Sequence, residues 1–219
     1  MTSTARNLVL STKMSIEKKR RPRRARRSPQ AARDNILSAA EALLVEKGPQ
    51  ALKLTDVAAR AGIAHATVLH HFGAIADVQT ALMERMIRQL VDRIVEAHRG
   101  ASDERRPQIG QRALFDAFEA KGVARLAAWL ELTGETRRLT MVCDAVQSVL
   151  AGRRDRAPES LAVAEDHILV SIVLAMGVGL FGRSVAELLG RPPGTTRERA
   201  LDWLGGERAT PPPRPPRRK

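Results

Sequence analysis

Between Thr55 and Phe72 the chain reads TDVAARAGIAHATVLHHF, which puts two threonines and three of its five histidines inside 18 residues. Hydroxyls and imidazoles at that density suggest three chemistries: a metal site, acid–base catalysis, or hydrogen bonding to phosphate oxygens and base edges. The metal reading fails on geometry. His70 and His71 are adjacent, and adjacent helical residues point about 100° apart, so they seldom share one ion. His98 and His167 are scattered, and Cys143 has no second cysteine to pair with. Catalysis finds no GxSxG, Walker loop, HExxH or strand-borne GxGxxG to stand on. We therefore expect no metal, no cofactor and no catalytic residues. Recognition of a polyanion remains.

Recognition needs elements that hold these residues outward, and the same window supplies them. Ala58, Ala59 and Ala61 make a short, small-faced helix over 56–61. Gly62 suits a turn that needs positive φ. Ile63 follows as a buried aliphatic. A second helix over about 64–72 can bury Val68 and Phe72 at i, i+4, which leaves His65, Ala66, Thr67 and His70 facing out. This order of small residues, glycine, aliphatic and polar helix is the pattern of a helix-turn-helix. Thr55 is expected to be the N-cap of the first helix.

The flanks also read as helices. Ser28-Pro29 starts one, as N-cap and first-turn proline, and Gly48-Pro49 ends it. Ile36, Leu37, Ala40, Leu43 and Leu44 form its apolar face. A long amphipathic helix follows with Leu82, Met83, Met86, Leu90, Ile94 and Val95 inward, to about His98. Residues 100–110 form a polar break and a plausible hinge. Further helices are expected at about 111–119, 122–132, 136–151, 159–189 and 195–204. With no period-2 strand pattern, the fold class is all-α. The expected domains are a disordered basic arm (1–27), a helix-turn-helix domain (28–73), a helical ligand-binding and dimerisation domain (74–205) and a disordered Pro/Arg tail (206–219).

Charge is divided along the same lines. The chain carries a formal +13. Residues 1–30 hold ten Lys/Arg and one Glu, and residues 207–219 hold five and one, so the ends account for all of it and 31–206 are neutral. A neutral body with basic ends suits a nucleic-acid partner, because each Lys or Arg at a phosphate releases counterions.

Arg33 to Phe72, with ILSAAEALLVEKG and then LTDVAARAGIAHATVLHHFG, resembles the DNA-binding domain of the tetracycline-repressor (TetR) family. The resemblance implies a homodimer whose recognition helices enter successive major grooves of a near-palindromic operator in double-stranded DNA. It also implies an unidentified small-molecule effector, bound in the C-terminal domain, that releases a repressor from DNA. On this mapping Thr55 matches a phosphate-contacting position. His65, Ala66 and Thr67 match base-reading positions, and His71 matches the usual histidine at the end of the recognition helix. The sequence departs from the family at three positions: Leu69 replaces a phosphate-touching Tyr, Ile75 a Lys at the start of the next helix, and Ala64 a Ser or Thr N-cap. Residues 31–72 are themselves neutral. The basic arm, with Arg23, Arg24, Arg26 and Arg27, is expected to make up the missing phosphate contacts.

Met86, Phe115, Phe118, Trp129, Met141 and Met176 are candidates to line an apolar effector pocket, with Asp144 and His167 adding polarity. Each of the six apolar residues is also an ordinary core residue type. The 159–189 stretch is apolar nearly all round. With Gly177 and Gly179 for close approach, and Trp203 and Leu204 from the last helix, it suits a dimer interface. Its longest apolar run, Ile168 to Phe181, is short for a membrane span, so no membrane partner is expected. The lone cysteine and lack of a leader pattern suit a cytoplasmic protein, nucleoid-associated when bound to DNA. The competing reading is a non-specific DNA-coating or architectural protein driven by its basic tails.

Overall fold

The computed structural model describes residues 28–99, 106–135, 147 and 161–206, and among these every regular element is helical. The basic arm with Arg23, Arg24, Arg26 and Arg27, the 136–151 helix apart from Gln147, Met141, Cys143, Asp144 and the Pro/Arg tail from Glu207 onward lie outside the described residues.

Helix α1 runs Pro29–Lys47. Ser28 caps it, its Oγ accepting from the Ala31 N–H at 3.1 Å, and Pro29 fills a first-turn position where no N–H is needed. Gly48 ends it at φ 88°, with its N–H returned to the Leu44 carbonyl. Ile36, Leu37, Ala40, Leu43 and Leu44 are all buried, as their spacing requires. A 3-10 turn, Pro49–Ala51, leads into α2, Leu54–Ala61. Here the expectation is corrected. Helix α2 begins one residue before Thr55, so Lys53 is the N-cap and no side chain caps the end. Leu54 is half-buried against the core, and that packing draws it into the first turn and Thr55 with it.

Gly62 forms the turn in the left-handed region, φ 66° and ψ 36°. Helix α3 follows at His65–Phe72. Helix α4, Ile75–Arg99, has 25 residues and so spans about 37 Å. Asp77 reaches back to the Ala74 N–H at 3.0 Å, half of a capping box. Val78, Leu82, Met83, Met86 and Leu90 are buried along α4, but Val95, expected inside, is 45% exposed. Ile94 still packs against the core, and Val95, about 100° further round the helix, faces away from it.

Helix α5, Arg106–Glu119, absorbs half of the expected polar break. Pro107 sits in its first turn, where proline is tolerated, so the helix begins earlier than the apolar pattern suggests. Gly122, at φ 77°, leads into α6, Val123–Leu132. The long apolar stretch is not a single α-helix. It is α7, Leu161–Gly177, a π-turn at Val178–Gly182, and α8, Arg183–Leu188. Glycines bracket the π-turn, and two of them meet neighbours closely. A Cβ on Gly179 would lie 2.7 Å from the Ala124 Cβ and 2.8 Å from the Phe118 carbonyl oxygen, and one on Gly182 would lie 2.7 Å from Thr196 Oγ1. Gly179 therefore serves packing within the chain rather than between copies, whereas around Gly177 there is open space. Helix α9, Thr195–Leu204, closes the described fold.

One continuous core runs from Ile36 of α1 to Leu204 of α9. The helix-turn-helix is therefore packed onto the body rather than strung from it. Glu165–Leu188 is long and apolar enough to cross a membrane, with mean hydropathy 2.0 over its best window, so the length objection from the 168–181 run does not hold. Its inner side nevertheless packs into the core through Ser171, Ala175, Gly182 and Ala186, and Arg183 and Glu187 form an exposed ion pair within it at 2.8 Å.

Candidate nucleic-acid interface

Helices α2 and α3 bury one side each: Val57 and Ala58 on α2, Val68 and Phe72 on α3. Ile63 in the turn is half-buried against the same core. That burial fixes what α3 presents outward. His65, Ala66 and His70 are exposed, and Thr67 and His71 are half-exposed. The His70 and His71 rings meet edge to face at 5.4 Å and 65°. The side chains of His65 and Thr67 make no hydrogen bond or ion pair among the described residues, so their donors and acceptors are free for an external partner. No group of His, Cys, Asp and Glu among the described residues could hold a metal.

The three departures read in the sequence lie on α3 or at its ends. Ala64 stands at the N-cap with no side-chain bond, Leu69 is 38% exposed, and Ile75 is half-buried against the core. Two of the four cations in 31–72 are already committed. Arg60 makes a two-bond pair with Glu46, one bond at 2.9 Å, which holds the Glu46 carboxyl below its ordinary range mainly through that hydrogen bond. Arg33 donates to the His71 carbonyl and lies over the Phe72 ring, 4.1 Å from its centroid. Lys47 and Lys53 are exposed and have no ion pair among the described residues.

Sequence reading missed the tethers that hold this unit together. Asn35 Nδ2 donates to the Ala61 carbonyl at 2.9 Å, closing the end of α2. Arg85 of α4 reaches Glu41 Oε2 at 2.6 Å, Ser38 Oγ at 3.2 Å and the Asp34 carbonyl at 3.4 Å. The partners are 26 to 51 residues apart, and helical periodicity carries no signal at that range.

In the C-terminal half, Phe115 is fully buried, Met86 and Phe118 nearly so, and Trp129 and Met176 half-buried. Gln111, itself buried, pairs with His167 at 2.7 Å between α5 and α7. A surface groove of about 680 Å³ lies elsewhere, between α7 and α9, where Leu174, Val178, Leu189, Ala200 and Trp203 line it; none of the expected pocket residues does. Beside it Leu169, Val173, Phe181 and Leu188 form an exposed apolar face.

A short helix, a left-handed glycine turn and a second helix with a free polar face define a helix-turn-helix protein. Residues 36–81 match the family model described as bacterial regulatory proteins, tetR family. Over 99 residues the chain is 30% identical to the HTH-type transcriptional activator FasR of Mycolicibacterium smegmatis, covering 44% of this chain. The match takes in 45% of that protein, so the chain spans less than half the length of this curated relative. Among solved structures, the fatty acid degradation regulator FadR of Bacillus halodurans superposes with a TM-score of 0.58 at 18% identity, covering 81% of this chain and 96% of that one. A TetR-family transcriptional regulator of Streptomyces coelicolor gives 0.56 at 19%, covering 82% and 96%. These two show the fold. Residues 36–81 are therefore similar to the tetR family of bacterial regulatory proteins, and the described chain shares the fold of these two regulators.

Proposed function

We propose that the chain is a homodimeric, sequence-specific DNA-binding repressor. The observation that carries this is α3, anchored by Val68 and Phe72 while His65 and Thr67 keep their side-chain hydrogen-bonding groups unused. In a major groove, His65, Ala66, Thr67 and His70 meet base edges. Thr55, in the first turn of α2, and His71 meet phosphates. The two committed cations and the apolar Leu69 and Ile75 leave α2 and α3 short of phosphate charge. Residues 1–27, with Arg23, Arg24, Arg26 and Arg27, supply it. Residues 28–73 act as the DNA-binding domain and 74–205 as the regulatory one.

The exposed face of Leu169, Val173, Phe181, Leu188 and Trp203, with the adjoining groove, is where a second copy packs. Single exposed apolar residues are ordinary, but a contiguous set on two neighbouring helices marks an interface. The effector is a small, mostly apolar molecule held among the C-terminal helices near Met86, Phe115, Phe118, Trp129, Met141 and Met176, with Gln111 and His167 as its polar neighbours. Repression asks nothing of the chain beyond occupying a site that overlaps a promoter, whereas activation also requires a polymerase contact. The relative named as an activator makes the sign of regulation a matter for measurement, by transcript level with and without the protein.

The deciding experiment compares full-length protein on its own upstream DNA with a scrambled fragment over rising salt. A preference of about 10³-fold that survives at physiological salt supports the reading. Equal binding of both fragments, and of a pool of genomic fragments, refutes it in favour of tail-driven coating. Removing residues 1–27 should weaken binding and flatten the salt slope; an unchanged slope removes the arm from the account.

A further inference from the structure

Three consecutive residues of α1 each hold a different helix. Arg33 donates to the His71 carbonyl near the end of α3 and stacks on Phe72. The Asp34 carbonyl accepts from Arg85 of α4 at 3.4 Å. Asn35 donates to the Ala61 carbonyl, the last of α2, at 2.9 Å. Arg85 is only 16% exposed in its side chain, and it is fixed from a second direction by Glu41, at 23%.

We propose that Arg33, Asp34 and Asn35 form a hub through which Arg85 of α4 sets the position of the recognition helix, so that Arg33, Asn35 and Arg85 are positioning residues for DNA readout. This rests on the DNA-binding reading above. A side-chain donor on the carbonyl end of a helix fixes where that end sits, because the last carbonyls have no partner inside the helix. Helix α2 and helix α3 are each tied in this way to adjacent points of one rigid turn of α1. Helix α4 grips that turn through the Arg85 fork. A guanidinium reaching a carboxylate, a hydroxyl and a carbonyl together is a directional clasp, which a lysine cannot reproduce. Any shift of α4 along α1 therefore pulls at the residue between the two tethers.

The test uses full-length protein and three variants, Arg33→Lys, Asn35→Ala and Arg85→Lys. Amide hydrogen exchange is read first, and it needs no DNA. Arg33→Lys should speed exchange about tenfold at 65–73 and leave 54–62 alone, and Asn35→Ala should do the reverse. Arg85→Lys, at a residue whose hydrogen bonds to Asp34, Ser38 and Glu41 all go to α1, should speed both. If Arg85→Lys changes exchange in α1 and α4 only, the relay is overturned. Binding is read second, on the upstream or genome-selected fragment that the wild type prefers. Arg33→Lys keeps its charge, so affinity for that fragment should drop about tenfold while affinity for scrambled DNA stays within about twofold. An equal drop on both fragments would make Arg33 a direct phosphate contact and overturn its positioning role. A wild type with no preferred fragment defeats the DNA-binding reading, and the exchange result still decides the hub.

Discussion

Gly177 and Gly179 lie two residues apart on the same helical run, yet alanine should act oppositely at the two. At Gly179 the added methyl would sit 2.7 Å from the Ala124 Cβ and 2.8 Å from the Phe118 carbonyl oxygen. Carbon contacts normally settle near 3.5–4.0 Å, so the helices must part by roughly 1 Å. Neither neighbour is the tip of a flexible side chain, which puts the overpacking cost near the top of its usual range, about 3 kcal/mol. Alanine recovers about 1 kcal/mol of helix propensity, for a net loss of about 2 kcal/mol. At Gly177 the methyl meets nothing within the chain, and for the single chain, melted at a concentration that keeps it monomeric, only the propensity gain of about 1 kcal/mol remains. For a chain of this size 1 kcal/mol moves Tm by about 2–4 °C. Gly179→Ala should therefore melt about 4–8 °C below the wild type and Gly177→Ala about 2–4 °C above it, by circular dichroism at matched protein concentration. A Gly179→Ala protein melting at or above the wild type would refute the close approach of the π-turn to α5 and α6.

Other perturbations separate folding from recognition. Val68→Ala, at a fully buried site, should cost about 2–3 kcal/mol in chemical denaturation, whereas His65→Ala should leave stability within about 0.5 kcal/mol and lower affinity for the preferred DNA fragment. Ser28→Ala removes the side-chain cap at the N-terminus of α1 and should lower stability by about 1 kcal/mol, unless denaturation midpoints show the first turn carries no load. Arg60 holds the Glu46 carboxyl below its ordinary value, so the pair's contribution is present above the unfolded glutamate range and fades as pH falls through the lowered folded value; in Arg60→Ala, an NMR titration should find Glu46 moved up toward the ordinary range. Trp203→Glu, at a site 66% exposed, should convert dimer to monomer by sedimentation without lowering helix content.

What could be read in advance followed from local chemistry. Ser28-Pro29, Gly48 and Gly62 mark helix ends through capping and positive φ, which belong to single residues. The face of α3 was legible because burying Val68 and Phe72 dictates which way His65 and Thr67 point. Misreadings arose where tertiary packing overrode local preference. Thr55 is a better cap than Lys53 by type, yet the core draws Leu54 into the helix and moves the start. The π-turn answers to close packing against Phe118 and Ala124 from α5 and α6, contacts about sixty residues away in sequence, as the apolar pattern alone cannot show. The hub of Arg33, Asp34 and Asn35 was hidden for the same reason, since each tie reaches a partner on another helix.

The unbonded outer face of α3 also bears on how such a chain can change over generations. The side chains of His65, Ala66 and Thr67 make no hydrogen bond or ion pair among the described residues, so substitutions there are close to neutral for folding. A duplicated gene could swap these positions one at a time, each step yielding a folded protein with a new target, while Val68, Phe72 and Gly62 stay fixed. Retargeting is thus decoupled from the hazard of unfolding, and divergence of binding preference can run faster than divergence of the scaffold beneath it.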